Sequence, residues 1–178
     1  AISLAAQLKI DSIVSINILP NAIYKPERCI KTTLEAAKQY DFPVEQIMFE
    51  FTEVEKVEDS THIKRVVEYY QSLGFITATD DFGSGYSGLN LLADFQSNII
   101  KLDMELIRDI HLNKARQIIV NHCIAMFEEL NITALAEGIE TVEEYQWLRQ
   151  AGVSLMQGYF FARPGFESLP EVDFSKLD

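Results

Sequence analysis

Asp80 and Asp81 stand side by side at the end of a β-prone run, residues 75 to 81, and three glycines follow in the six residues 83 to 88, Gly83, Gly85 and Gly88. Successive strand residues point to opposite faces, so two adjacent acids can serve one site only where the strand is ending and twisting. Adjacent carboxylates also repel, a cost that a bound cation removes. Taken alone, the pair fits an acidic surface turn as readily as a metal site. Five other residues decide between these readings. Asn17, Glu50, Lys101, Glu137 and Gln157 each interrupt an otherwise apolar run. Carboxylate and amide oxygens select hard cations such as Mg²⁺, Mn²⁺ or Ca²⁺, and two such ions sharing a carboxylate form an arrangement that cleaves phosphate esters. His62, His111 and His122 lie in helical patterns or their flanks. They read as surface or packing residues, against the strand-end histidines that a glycerophosphodiesterase-type site would want.

The elements that must position these groups alternate. Residues 1 to 9 read as the tail of a helix, Ser12–Ile18 as a strand, Glu27–Tyr40 as a helix with Ile30, Leu34 and Ala37 on one face, and Gln46–Phe51 as a strand. A helix from about Ser60 carries Ile63, Val66, Val67, Tyr70 and Leu73 inward and stops at Gly74. After the strand ending at Asp81 come a short helix (Leu89–Phe95), a strand (Ile99–Asp103), and a helix (Lys114–Leu130) with Ile118, Ile119, Cys123, Met126, Phe127 and Leu130 facing inward. A strand at Ile132–Glu137, a capping box at Thr141–Glu144 opening a helix that stops at Gly152, and a strand at Leu155–Phe161 complete the series.

Apolar strands separated by helices imply parallel βα units buried on both faces. An open doubly wound sheet has the same rhythm. Each of the six strands, however, carries its polar residue at or near its C-terminal end, and only a barrel gathers all such ends at one mouth. The expected fold is therefore an α/β, TIM-type (β/α) barrel with about six of its eight strands in this chain. A complete barrel needs roughly 250 residues. The reading is of one barrel domain over 1–178 that lacks its first one or two strands.

Composition bounds the rest. The chain has 178 residues, 48% hydrophobic and 24% charged, as in ordinary globular proteins. A net charge of -12 with scattered Lys and Arg argues against a DNA-tracking surface or binding to anionic lipid. Bound cations could still invert the field locally for an anionic phosphate ester. No apolar run reaches the ~18 residues of a membrane span and no signal peptide is evident, which points to the cytoplasm. Cys29 and Cys123, far apart in apolar helical patterns, read as buried thiols.

The stretches Ser15-Ile16-Asn17, Glu50-Phe51-Thr52-Glu53, Asp80 through Ser87, Lys101-Leu102-Asp103, Glu137 through Thr141 and Gln157 through Phe161 resemble, in order and spacing, the successive signatures of the EAL domain, the bacterial cyclic di-GMP phosphodiesterase. The resemblance implies two Mg²⁺ or Mn²⁺ ions and hydrolysis of cyclic di-GMP to linear pGpG. It implies that Asn17, Glu50, Asp80, Asp81 and Glu137 hold the metals, with Asp80 bridging them. Lys101 would orient or help deprotonate the attacking water, and Gln157 would bond a metal-bound water. Glu53 would pin a regulatory loop comprising Phe82, Gly83, Ser84, Gly85, Tyr86 and Ser87, which couples the site to a homodimer. An upstream sensory or regulatory domain in the same polypeptide is likewise implied. The family's Glu-Ala-Leu motif, whose Glu is a metal ligand, and the Arg that follows it are not among these residues. The alternative is a catalytically inactive EAL-like module that binds cyclic di-GMP or a protein partner.

Overall fold

The structure is a computed structural model and describes residues 1–52, 60–85 and 88–177. Six strands, β1 (Val14–Ile18), β2 (Ile47–Thr52), β3 (Ile76–Phe82), β4 (Ile99–Leu102), β5 (Thr133–Ala136) and β6 (Leu155–Met156), form one sheet in chain order. The helices are α1 (Ile2–Gln7), α2 (Pro26–Cys29), α3 (Lys31–Gln39), α4 (Ser60–Ser72), α5 (Gly88–Asp94), α6 (Met104–Ile107), α7 (Lys114–Glu129) and α8 (Val142–Gln150). The pairs β1 with β2, β4 with β5 and β5 with β6 run parallel. Parallel neighbours need a crossover, and helices supply it here, which explains the alternation read from the sequence. The α/β class and its parallel sheet agree with the sequence.

The chain divides into two compact units, one of residues 1–79 and 87–98, the other of residues 80–86 and 99–178. In the first, β2 is buried along Ile47–Phe51, and α4 turns Ile63, Val66, Val67 and Tyr70 onto a core that includes Phe49, Phe51 and Phe75. The Phe49 ring lies 5.0 Å from Tyr70 and 5.1 Å from Phe75, the tilted and edge-on contacts that aromatic quadrupoles favour. In the second unit, Ile100, Leu102, Val120, Phe127, Ala136, Ile139 and Leu148 are buried. Phe82, at the end of β3, packs edge-on against Phe127 with centroids 5.3 Å apart.

Several boundaries differ from the sequence reading. The helix expected over 27–40 is two, α2 and α3, which meet at the buried Ile30. The last strand is two residues long, because the chain turns after Gln157, with the Phe161 N–H donating to the Gly158 carbonyl at 3.1 Å. On α7 the inward face is Val120, Ile124 and Phe127, whereas Ile118, Ile119 and Leu130 are exposed. This helix is apolar on more than one side, so periodicity alone leaves its phase open. Cys29 is exposed and Cys123 only partly buried, against the expectation of two buried thiols. Cys29 ends the four-residue α2, which buries none of its residues. Among the described residues, no helix is long and apolar enough to cross a membrane.

Candidate metal centre

The acids at the β3 terminus are arranged by one backbone angle. Asp81 has φ of 58°, a left-handed conformation that Asp tolerates better than most residues. That rotation breaks the strand's alternation, so the side chains of Asp80 and Asp81 can turn toward one place. The Asp81 N–H donates to Asp80 Oδ1 at 3.0 Å, and the Ser84 N–H and hydroxyl both donate to the Asp81 carbonyl, at 3.1 and 2.9 Å. Gly83, at φ of 99°, completes the turn where a Cβ would lie 2.5 Å from Leu106 Cδ1. The strand end thus brings a carboxylate oxygen of Asp80 and one of Asp81 within 4.8 Å of each other.

β4 supplies Lys101, which is only 4% exposed. A lysine so deep is held by partners. Its ammonium lies 2.9 Å from Asp80 Oδ1 and 2.8 Å from Glu137 Oε1. Glu137 directly follows β5, where its N–H donates to the Leu102 carbonyl at 3.2 Å. Gln157 directly follows β6, where its N–H donates to the Ala136 carbonyl at 2.9 Å, and its side-chain amide donates to Glu137 Oε1. These ladder bonds align the strand ends, which explains why residues spaced across the chain converge.

The electrostatics follow from burial. Burial pushes the Glu137 carboxyl up and the Asp80 charge adds to this, outweighing the pull of Lys101, so its pKa rises to about 7. Burial disfavours the Lys101 ammonium, yet its bonds to Glu137 and Asp80 hold its pKa above the ordinary lysine value. Lys101 thus keeps its positive charge between the two carboxylates.

Among the described residues, Asp80, Asp81 and Glu137 place one carboxylate oxygen each within 4.8 Å of one another. Three anionic oxygens at that spacing, with an ammonium already bound between two of them, fit a hard divalent cation. In the first unit, Asn17 and Glu50 are register partners on β1 and β2, with Asn17 exposed and Glu50 buried. Of the loop residues, Phe82 is buried, and Ser84 and Gly85 are exposed. Glu53, Tyr86 and Ser87 lie outside the described residues. Beside the acids, a cleft of about 510 Å³ is lined by Met104, Gly138, Glu140, Gln157, Tyr159 and Arg163 among others. Arg163 lies over the Tyr159 ring, 4.5 Å from its centroid. Sequence reasoning missed Arg163 and Tyr159, although an aromatic and an arginine close behind Gln157 were there to be read.

The family model of the EAL domain matches residues 1–164. A solved structure of a standalone versatile EAL protein from Vibrio cholerae O395, in its c-di-GMP-bound form, is 66% identical, covers 100% of this chain and 75% of its own, and superposes with a TM-score of 0.96. The calcium and cyclic-diGMP complex of Klebsiella pneumoniae BlrP1 is 37% identical, with 96% of this chain and 44% of that chain covered and a TM-score of 0.89. The cyclic di-GMP phosphodiesterase PdeR of Escherichia coli K12 is 34% identical over 92% of this chain and 24% of its own length. The chain spans 40% or less of the first curated relatives it matches.

Proposed function

The chain belongs to the EAL domain family, with that family's TIM-type α/β fold, and on this premise we propose that it hydrolyses cyclic di-GMP to linear pGpG with divalent cations. The observation that carries the reading is the meeting of the Asp80, Asp81 and Glu137 carboxylates, with the Lys101 ammonium bonded to Asp80 and Glu137. Relatives whose structures hold cyclic di-GMP, one of them with calcium, support the ligand and the ion class.

In this reading Asp80, Asp81 and Glu137, together with Asn17 and Glu50 as the family resemblance assigns them, hold two Mg²⁺ or Mn²⁺ ions. Such ions supply hydroxide near neutral pH and stabilise charge on the phosphoryl group. The protein's residues do the remainder. Lys101, already bonded to Asp80 and Glu137, holds a proton beside the attacking water and keeps the cluster from repelling a dianionic substrate. Gln157 fixes the Glu137 carboxylate with its amide and orients a bound water. Arg163 and Tyr159 offer the cleft a cation and an aromatic face, suited to a phosphate and a stacked base. Phe82 anchors the start of the loop through Ser87, which with Glu53 is the proposed regulatory element. The same reading places the chain as one barrel domain in the cytoplasm, paired as a homodimer and linked to a sensory or regulatory domain.

The test is turnover of cyclic di-GMP by the full-length protein with Mn²⁺ or Mg²⁺, read as pGpG by chromatography, with Asp80→Asn alongside. Linear product from the wild type and none from Asp80→Asn is the expected result. Binding of both metal and cyclic di-GMP without turnover would overturn it and identify a non-catalytic binding module.

A further inference from the structure

Glu144, at 0% exposure, is the most deeply buried charged residue among those described. Part of its role is local. It closes the capping box of α8, its Oε2 accepting from the Thr141 N–H at 3.2 Å while Thr141 Oγ1 accepts from the Glu144 N–H at 3.2 Å. A capping box requires no more than this. Yet Oε2 also accepts from the Glu140 N–H at 2.9 Å, and Oε1 accepts from the Asp109 N–H at 2.9 Å. Asp109 lies in the connection that leaves β4, and Glu140 in the one that leaves β5. One buried carboxylate therefore joins the loop that continues from the strand bearing Lys101 to the loop that begins with Glu137. Arg108 repeats the link, its guanidinium gripping both Glu140 oxygens at 2.9 and 2.8 Å.

Between Glu137 and Glu140 there is no slack. Gly138, at φ of 67°, sits where a Cβ would be 2.4 Å from Met104 Cβ. The Ile139 N–H donates to the Gln157 carbonyl at 3.2 Å, and its carbonyl accepts from the Phe160 N–H at 3.0 Å. A displacement of Glu140 therefore passes directly to Glu137. Burial pushes the Glu144 carboxyl up, but the three N–H groups hold it below the ordinary carboxylate value, so it stays ionised at neutral pH.

We propose that Glu144 is a positioning residue for the metal centre, fixing the β5 end so that the Glu137 carboxylate faces Asp80 and Asp81 when a divalent cation is bound. The inference rests on the metal-dependent reading of the site and deepens it. Supporting groups behind metal ligands commonly set affinity by 10- to 100-fold. Glutamine at this position would keep one acceptor and aim N–H groups at backbone N–H groups, breaking the buried join and leaving only the exposed Arg108–Glu140 pair between the two loops.

The test uses Mn²⁺ alone, by calorimetry and electron paramagnetic resonance, without substrate. Glu144→Gln should bind Mn²⁺ about 10- to 100-fold more weakly than wild type. Affinity within twofold of wild type would overturn the proposal. Should the variant not fold, hydrogen exchange on the wild type decides. Mn²⁺ should slow exchange of the Asp109 N–H together with those of Glu140 and Thr141, because binding at Glu137 and closure of the clamp are linked reciprocally. An Asp109 N–H whose exchange ignores bound Mn²⁺, or a wild type that takes up no Mn²⁺, would equally overturn it. A wild type that binds Mn²⁺ with this coupling but leaves cyclic di-GMP intact overturns the phosphodiesterase reading and supports the clamp.

Discussion

Replacing Lys101 by Met tests the electrostatic logic of the site most directly. The wild-type ammonium is 4% exposed and touches Asp80 and Glu137 at 2.9 and 2.8 Å, with those side chains themselves only 13% and 14% exposed. Methionine fills much the same volume, so the change removes charge with little cavity. Taking one partner from a buried ion pair costs roughly 3–5 kcal/mol, because the remaining charge loses its compensation. For a chain of this size each kcal/mol moves the melting temperature by about 2–4 °C, so a fall of roughly 6–20 °C is expected at pH 8 in EDTA. Saturating Mn²⁺ should reverse much of that loss, since a ligand at 100 times its dissociation constant stabilises by about 2.7 kcal/mol. The Mn²⁺-induced rise in melting temperature should also be larger in the variant than in wild type, because the bound ion no longer faces a neighbouring ammonium. The assay is thermal and urea unfolding with and without Mn²⁺, beside turnover, which should be lost. A cost under about 1 kcal/mol in EDTA, or a Mn²⁺ response no larger than that of wild type, would refute the view that Lys101 is the counter-cation of the metal-free cluster.

Two further perturbations address the same centre. Glu137 has a folded pKa of about 7 against an ordinary 4.5, so the native state binds the extra proton between those values. Stability from that proton is present in full below pH 4.5 and lost as pH rises through 7. In EDTA, wild type should therefore lose stability relative to Glu137→Gln between pH 5 and 8 by urea unfolding, and a pH-independent difference would count against the shift. Gly158→Ala should cost about 2–3 kcal/mol and weaken Mn²⁺ binding, since the new Cβ would lie 2.1 Å from the Ile139 carbonyl oxygen and force the β5 and β6 ends apart. Wild-type unfolding and Mn²⁺ titration curves for that variant would deny the close approach.

The candidate site was legible where a polar residue interrupts an apolar strand. Glu50 and Lys101 stand out because a charge beside Ile, Leu or Phe in a buried sheet has to be compensated, and Glu137 because it ends an apolar run just before Gly138. The strands themselves were legible for the same reason, their apolar runs being long enough to register. Legibility failed where several packings satisfy one pattern. α7 has apolar residues on more than one side, and contact with its neighbours selected Val120, Ile124 and Phe127 over Ile118 and Ile119. The last strand was overestimated because Tyr159, Phe160 and Phe161 have β-prone chemistry. In the structure the Phe160 and Phe161 rings pack with Tyr145 instead, and Tyr159 lies under Arg163.

The sequence by itself determined the residue types of the centre, the alternation that brings them to strand ends, and the family to which the chain belongs. These are properties of local composition and order, and they survive in a linear string. Tertiary structure decided the left-handed turn at Asp81 that lets adjacent acids converge, the binding of the Lys101 ammonium between Asp80 and Glu137, and the reach of Glu144 to Asp109. Glu144 reads as a helix cap from Thr141-Val142-Glu143-Glu144. Its second role depends on a backbone N–H 35 residues away, which the chain brings within 2.9 Å only by folding.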